Sequence, residues 1–136
     1  MRISRDQMMM TIAFAVSMRA TCSRLKVGAV IAHRGRVMSI GYNGAPSGMA
    51  HCDHTLDDFS GGCERTVHAE ANAIVWAART GVSTAGASMF VTHMPCVRCA
   101  QLIINAGIIR VMDKFPYRLT AGVELLQAAG VEVSSG

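Results

Sequence analysis

Two short segments constrain the fold and chemistry of this sequence most: residues 68–70, which read HAE, and residues 95–99, which read PCVRC. Each lies where the local pattern predicts that a helix begins. Thr66 is a suitable N-cap for the first helix, and Pro95 suits the first position of the second. Cysteines three apart place two sulfur atoms at the start of the second helix, where backbone amides and the helix dipole favour thiolates.

Together the two segments predict a metal site. His68, Cys96 and Cys99 offer one imidazole and two thiolates, and three protein ligands leave a fourth position of tetrahedral zinc open for water. Glu70 lies about 200° around the helix from His68, so we expect it to contact such a water rather than the metal. Alone, HAE is a weak signal, and CxxC is also typical of redox or structural sites. Together they form the H-x-E…P-C-x-x-C signature of zinc nucleobase deaminases.

The rest of the sequence predicts alternating helices and strands. Two β-rich runs flank Arg34 and Gly35, which predicts a hairpin. A first helix over about 4–19 precedes the hairpin, and its buried side is predicted to carry Met8, Ile12, Ala15 and Val16. After a long loop over 44–64, helices are expected near 66–81, 95–107 and 118–129, each followed by a strand. This order predicts a sheet covered by helices, and 136 residues suffice for one domain over 1–136 but not for two.

Charge and hydropathy narrow the functional classes. A formal net charge of +4 suits an anionic ligand such as a nucleotide, but it is not the dense basic stripe of a duplex-DNA binder. The sequence contains no run of about 18 apolar residues, the length that would predict a membrane span. Arg2 and Arg5 before an apolar run outline a signal peptide, but Ser4 as an N-cap and Asp6 in the first turn favour a helix of the domain itself. We therefore expect a cytoplasmic protein, in which five cysteines serve as metal ligands and buried thiols.

Over residues 8–133 the sequence resembles the deoxycytidylate (dCMP) deaminases, the nucleotide branch of the cytidine-deaminase-like superfamily. The segments that carry the resemblance are CSRLKVGAVI, GYNGAPSG, RTVHAEANAI and THMPCVRCAQLIINAGI. The resemblance implies a three-layer α/β/α sandwich with a five-stranded mixed sheet. It implies His68, Cys96 and Cys99 as ligands of the catalytic zinc and Glu70 as the proton shuttle. The implied reaction is hydrolysis of dCMP to dUMP and ammonia, which feeds thymidylate synthesis.

Further residues are candidates for binding the nucleotide. The resemblance implies that Asn43 contacts the nucleoside, although Asn-Gly is also typical of a turn. The backbone carbonyl of Ala69 is a candidate to recognise the cytosine amino group, and Thr92 and His93 are weaker candidates for the pocket wall. A 5′-phosphate needs positive charge, and we expect at least one contact from Arg24 and Lys26 and at least one from Tyr117 and Arg118; Arg65 is a further candidate.

The stretch HCDHTLDDFSGGC over residues 51–63 raises the question of a second metal. Some relatives carry a second, structural zinc that fixes this loop, and such a metal would offset the entropy of ordering it. Its possible ligands here are Cys22, His51, Cys52, His54 and Cys63. The alternative is a polar loop whose cysteines bind nothing, and the sequence leaves both open.

Other functions stay open at this point. The rival enzymes are a tRNA adenosine deaminase and a deaminase of free cytidine or of another cytosine nucleotide, including 5-substituted dCMP. A zinc-stabilised binding module is the rival from another class, although such a site has no use for Glu70. The resemblance also implies a homo-oligomer, often a hexamer, and effector binding by dCTP (activating) and dTTP (inhibiting), with Mg²⁺.

Overall fold

The helices and strands alternate in the predicted order. The computed structural model describes residues 1–22, 25–51, 66–116 and 119–136. Within these ranges the elements are α1 Arg5–Ser17, β1 Gly28–His33, β2 Arg36–Tyr42, α2 Ala69–Thr80, β3 Ser88–His93, α3 Val97–Asn105, β4 Arg110–Phe115, α4 Ala121–Ala128 and β5 Glu132–Ser135.

The strands form one mixed sheet in the order β2-β1-β3-β4-β5. β1 pairs antiparallel with both β2 and β3, whereas β3, β4 and β5 run parallel to one another. The parallel strands are joined by α3 and α4, so the carboxyl ends of β3 and β4 meet at one edge, where ligands of α/β proteins bind. This confirms the predicted five-stranded mixed sheet.

The hairpin turn lies where it was predicted. Arg34 and Gly35, between β1 and β2, have φ angles of 52° and 76°. Left-handed backbone at both central residues is what a two-residue hairpin needs to match the strand twist. Gly35 adopts it without steric cost, whereas an arginine does so only rarely.

Helices cover both faces of the sheet, which confirms the three layers. On one face α1 packs through Met9, Met10 and Ala13 against alternate residues of β1 and against Phe90. On the other face α2, α3 and α4 pack against the remaining strand residues in a larger apolar core. Successive strand side chains point to opposite faces, so β1 contributes to both cores.

The buried side of α1 differs from the prediction. Val16 is buried as predicted and Ile12 is half-buried, but Met8 and Ala15 are exposed, and Met9, Met10 and Ala13 are buried instead. Apolar residues surround most of this helix, so spacing alone did not select the correct side. Within the part of the chain that the structure describes, no helix combines the length and apolar character that crossing a bilayer requires.

The start of α1 is fixed by side chains. Ser4 is the N-cap and forms a capping box with Gln7, with bonds of 2.8 and 3.1 Å. Asp6 lies in the first turn as predicted, where it accepts two hydrogen bonds from Arg110 at 3.0 and 2.6 Å. This paired contact ties α1 to the start of β4 and holds the pKa of Asp6 below its usual range.

Asp6→Asn is expected to lower the free energy of unfolding by less than about 1 kcal/mol, because the ion pair is partly exposed. Since the folded-state pKa of Asp6 is depressed, its contribution is complete above the ordinary aspartate pKa of 3.8 and is lost as the pH falls through the lower folded value. Urea unfolding of both proteins between pH 2 and pH 7 measures this, and a gap that persists unchanged at the acid end would contradict it.

Candidate metal centre

Two helix starts carry the candidate ligands. His68 is the N-cap of α2 and Cys96 is the N-cap of α3, both with extended backbone, and neither side chain caps its own helix. Cys99 lies in the first turn of α3. Both predicted helix starts were therefore wrong by a few residues. Val67 pairs with Gly44 in an isolated β-bridge, which keeps the chain extended past Thr66. Pro95 precedes the α3 N-cap rather than opening the helix.

The three ligand atoms have the spacing that zinc requires. His68 Nδ1 lies 3.6 Å from Cys96 Sγ and 3.3 Å from Cys99 Sγ, and all three atoms lie within 4.8 Å of one another. Zinc bonds of about 2.3 Å to sulfur and 2.0 Å to nitrogen put tetrahedral ligand atoms roughly 3.6 Å apart. Cys99 is buried and His68 is exposed, so the centre faces solvent on the imidazole side. The donor set fits zinc with an open position.

The two thiols titrate as a pair. The hydrogen bond from Cys99, followed by that from His68, lowers the pKa of Cys96 to about 3. The same bond to Cys96 and burial raise the pKa of Cys99. Cys96 is therefore the more acidic thiol of the pair, and metal binding requires both cysteines as thiolates.

Glu70 places a buried carboxyl against this ligand set. It is the second residue of α2, it is 5% exposed, and its side chain lies beside that of Cys99. Burial is the main cause that raises its pKa above the usual glutamate value, while its own backbone amide and His68 oppose the shift. A carboxyl held closer to neutrality than usual suits proton transfer in both directions.

Asn43 fixes the loop before β1. Its Oδ1 accepts a hydrogen bond from the Val27 amide at 2.7 Å, and its Nδ2 donates to the Leu25 carbonyl at 2.6 Å. An amide side chain has a second N–H and a second lone pair, so a nucleoside contact stays a prediction beside this structural role.

The phosphate candidates are only partly described. Lys26 is exposed, and its Nζ donates to the carbonyl of Ala20 at 2.9 Å, just beyond the end of α1. Its remaining N–H groups are compatible with a phosphate. Arg24, Arg65, Tyr117 and Arg118 lie outside the described residues, so their contacts stay predictions.

Three other candidates for the pocket are buried or half-buried. The Ala69 carbonyl lies so close to Gly41 of β2 that a Cβ there would be 2.3 Å from it. This carbonyl lies in the α2–β2 contact, and its recognition of the cytosine amino group stays a prediction. Thr92 is fully buried and accepts a hydrogen bond from the Gly28 amide, while His93 beside it is half-buried against Phe115.

The second zinc site cannot be assembled from the described residues. Cys22 is buried and His51 is exposed. Its other three candidates, Cys52, His54 and Cys63, lie outside the described residues. The second site therefore stays a prediction.

Sequence reasoning missed the polar contacts that hold α2 on β2. Ser39 Oγ donates to the Ala73 carbonyl at 2.7 Å, and Asn72 Nδ2 donates to the Tyr42 carbonyl at 2.8 Å. Both pairs are about thirty residues apart in sequence. The available signal was a serine in a β-rich run and an asparagine within the HAE helix, since buried polar side chains need partners.

Comparison with known proteins agrees with this geometry. A family model described as the cytidine and deoxycytidylate deaminase zinc-binding region matches residues 3–113. ComE operon protein 2 of Bacillus subtilis (strain 168) is 42% identical over 137 residues, which cover 97% of this chain and 71% of that protein. Deoxycytidylate deaminase of Mycobacterium phage D29 is 40% identical over 119 residues, which cover 79% of this chain and 91% of that protein.

A solved structure shares the whole fold. The dCMP deaminase from the cyanophage S-TIM5, in complex with dCMP and dUMP, superimposes with a TM-score of 0.90 at 35% sequence identity. The match covers 100% of this chain and 99% of that chain.

Proposed function

We propose that this chain, which belongs to the cytidine and deoxycytidylate deaminase zinc-binding family, hydrolyses dCMP to dUMP and ammonia. The observation that carries the proposal is the buried Glu70 carboxyl in contact with the set formed by His68, Cys96 and Cys99. A carboxylate beside an open metal position serves hydrolysis rather than structure. The resemblance to relatives named deoxycytidylate deaminase selects the substrate.

His68, Cys96 and Cys99 would hold the zinc. When bound, zinc activates a water molecule as a nucleophile by lowering its pKa, to about 7 in favourable sites. The chain's own contribution is to keep the three ligand atoms together and to leave the imidazole side open to the substrate.

Glu70 moves the protons of the reaction. It accepts a proton from the attacking water and delivers it to N3 of the cytosine ring while oxygen adds to C4. It then helps to protonate the amino group, which leaves as ammonia, so one water is consumed for each dUMP formed. Its position on the first turn of α2 holds it against the ligand set, and its raised pKa brings it nearer to the value at which both transfers are efficient.

The nucleotide would lie between the Asn43 loop and the ligand-bearing helix starts. We propose that Asn43 contacts the nucleoside and that the phosphate is bound by at least one residue of each pair, Arg24 with Lys26 and Tyr117 with Arg118. The Asn43 side chain supports a contribution from Lys26, because its bonds to the backbone at Leu25 and Val27 hold Lys26 in the loop beside it.

One assay separates this function from its rivals. Ammonia release is measured with dCMP, dCTP, cytidine, 5-methyl-dCMP and a tRNA anticodon stem. We expect turnover of dCMP with the highest kcat/KM. Activity on the tRNA alone would replace the proposal with adenosine deamination, and a clear preference for a 5-substituted dCMP would narrow the substrate to that nucleotide.

The organisation of the protein extends the proposal. We propose that residues 1–136 act as one catalytic domain in the cytoplasm, that a second zinc fixes the loop over 51–63, and that the chain forms a homo-oligomer, with a hexamer as the size implied by the family. Val75, Trp76 and Leu102 are 60, 50 and 44% exposed on α2 and α3, and this uncovered apolar surface supports association. Light scattering after size exclusion measures the copy number.

We also propose that dCTP and dTTP regulate the enzyme together with Mg²⁺. A cleft of about 280 Å³ beside α1, on its face of the sheet, has basic residues in its lining: Arg5, His33, Arg34 and Arg110. Asp6 neutralises Arg110, which leaves Arg5 and Arg34 for an anion. This charge supports the cleft as the place where a triphosphate binds.

Arg34→Ala is expected to raise the dCTP concentration for half-maximal response about tenfold, because it removes one charged hydrogen-bonding group from the cleft. The measurement is a dCMP titration at several concentrations of dCTP with Mg²⁺. Arg2→Ala removes the same charge outside the cleft and is the control. If dCTP changes the dCMP turnover of both variants equally, the effector binds elsewhere. If dCTP does not change the turnover of the wild type, the proposed regulation is rejected.

A further inference from the structure

Two glycines lie against the helix starts that carry the candidate ligands, and we infer that Gly41 and Gly122 are positioning residues that set the spacing of these ligands. Gly41 lies on β2 and Gly122 on α4, and the atoms nearest to a Cβ built on either glycine are backbone atoms. The inference rests on the proposed metal site and does not depend on the identity of the substrate.

Gly122 lets α4 touch the backbone at the start of α3. A Cβ built on it would lie 2.3 Å from the Pro95 carbonyl oxygen, 2.7 Å from the Cys96 carbonyl carbon and 2.9 Å from the Cys96 carbonyl oxygen. Its φ is not in the left-handed region, so close approach rather than backbone conformation accounts for the glycine. Glycine within a helix is less favourable than alanine, which makes packing the stronger reason for it here.

Gly41 does the same for α2. A Cβ on it would lie 2.3 Å from the Ala69 carbonyl oxygen and 2.5 Å from the Ala73 amide nitrogen. Ser39 and Tyr42, on either side of it in β2, hydrogen-bond to α2. The first turn of α2, immediately after His68, therefore lies directly on the backbone of the strand.

The ligand spacing depends on where these two turns lie. His68 comes from one helix and Cys96 and Cys99 from the other, so the Nδ1–Sγ distances of 3.3 and 3.6 Å require both helix starts to be fixed. A Cβ at 2.3 Å, where real Cβ atoms stay beyond 3.0 Å, demands a displacement of about 0.7 Å. Zinc sites hold their bond lengths to about 0.2 Å. Alanine at either glycine would thus move a ligand beyond that tolerance.

Gly28 provides a matched control. A Cβ on this β1 residue would lie 2.0 Å from the Ala13 carbonyl oxygen and 2.6 Å from the Ser17 amide nitrogen. The clash is of the same kind and at least as severe, but it is directed at α1 on the opposite face of the sheet. Gly28→Ala therefore reports the general cost of such a clash.

The experiment is Co²⁺ binding to the apoprotein of residues 1–136, read by the absorption bands of thiolate-bound cobalt, together with thermal unfolding. We expect Gly122→Ala and Gly41→Ala to weaken Co²⁺ binding at least about tenfold and to shift the bands, as changes around metal ligands do. We expect Gly28→Ala to lower Tm while its Co²⁺ affinity and spectrum stay within about twofold of the wild type.

Wild-type affinity and spectrum in both Gly122→Ala and Gly41→Ala would overturn the inference. If only one of them folds, its spectrum decides, since each acts on a different ligand. If neither folds while Gly28→Ala does, these contacts hold the fold rather than tune the ligands, and the inference is rejected. If the wild-type protein binds cobalt but does not convert dCMP, the proposed function is refuted, and the inference about the two glycines is unaffected.

Discussion

Glu70→Gln is expected to reduce kcat for dCMP by about 10² to 10⁴-fold, the range over which a positioned acid–base group contributes. Glutamine keeps the shape and hydrogen-bonding capacity of the side chain but can neither accept nor donate the transferred proton at neutral pH. Because Glu70 is buried and its burial raises the pKa of the carboxyl, replacing it by a neutral amide also removes a desolvation cost. The variant should therefore be as stable as the wild type or more so, and it should still bind zinc.

Glu124→Gln is the matched control for this change. Glu124 is also an acidic residue in the first turn of a helix, α4, but it is exposed and its partner is Thr120. Ammonia release, zinc content and thermal unfolding are measured on both variants. Near-normal kcat in Glu70→Gln would remove Glu70 from proton transfer, whereas loss of zinc from it would show that its main role is structural.

Local patterns allowed most of the architecture to be predicted. The hairpin at Arg34 and Gly35, the capping residue Ser4 and the alternation of helices and strands all depend on residues close in sequence. The ligand set was predictable for the same reason, since HAE and PCVRC each have a fixed internal spacing and only one long-range contact is needed to join them.

Features that depend on tertiary contacts were not predictable. Thr66 has the chemistry of an N-cap, but the bridge between Val67 and Gly44 delays α2 to Ala69. The pairing of Asp6 with Arg110 joins residues 104 apart, and no local pattern indicates it.

Asn43 and Lys26 show the same limit within the site. Both are polar residues that a sequence can only associate with a ligand, whereas the structure gives each a partner on the backbone. A nucleotide would have to share them with these bonds, and no local pattern indicates those bonds.

Cys99→Ser is expected to lose the catalytic zinc and to reduce dCMP turnover roughly a thousand-fold or more, because zinc lowers the pKa of its bound water to about 7, far below that of free water. Cys99 is the most buried of the three ligands and contacts both His68 and Glu70, so its thiolate cannot be replaced by another side chain from solvent. The stability that metal binding adds to the fold should disappear with it, and added zinc should no longer raise Tm.

Cys22→Ser is the control, since Cys22 is a buried cysteine outside the ligand set of α2 and α3. Zinc per chain, Tm with and without added zinc, and ammonia release are measured on both variants. Full activity in Cys99→Ser would exclude Cys99 from the catalytic centre. The same measurement tests the second site. If the wild type holds two zinc ions per chain and Cys22→Ser holds one while activity is kept, Cys22 binds a separate metal. One zinc ion per wild-type chain rejects that site.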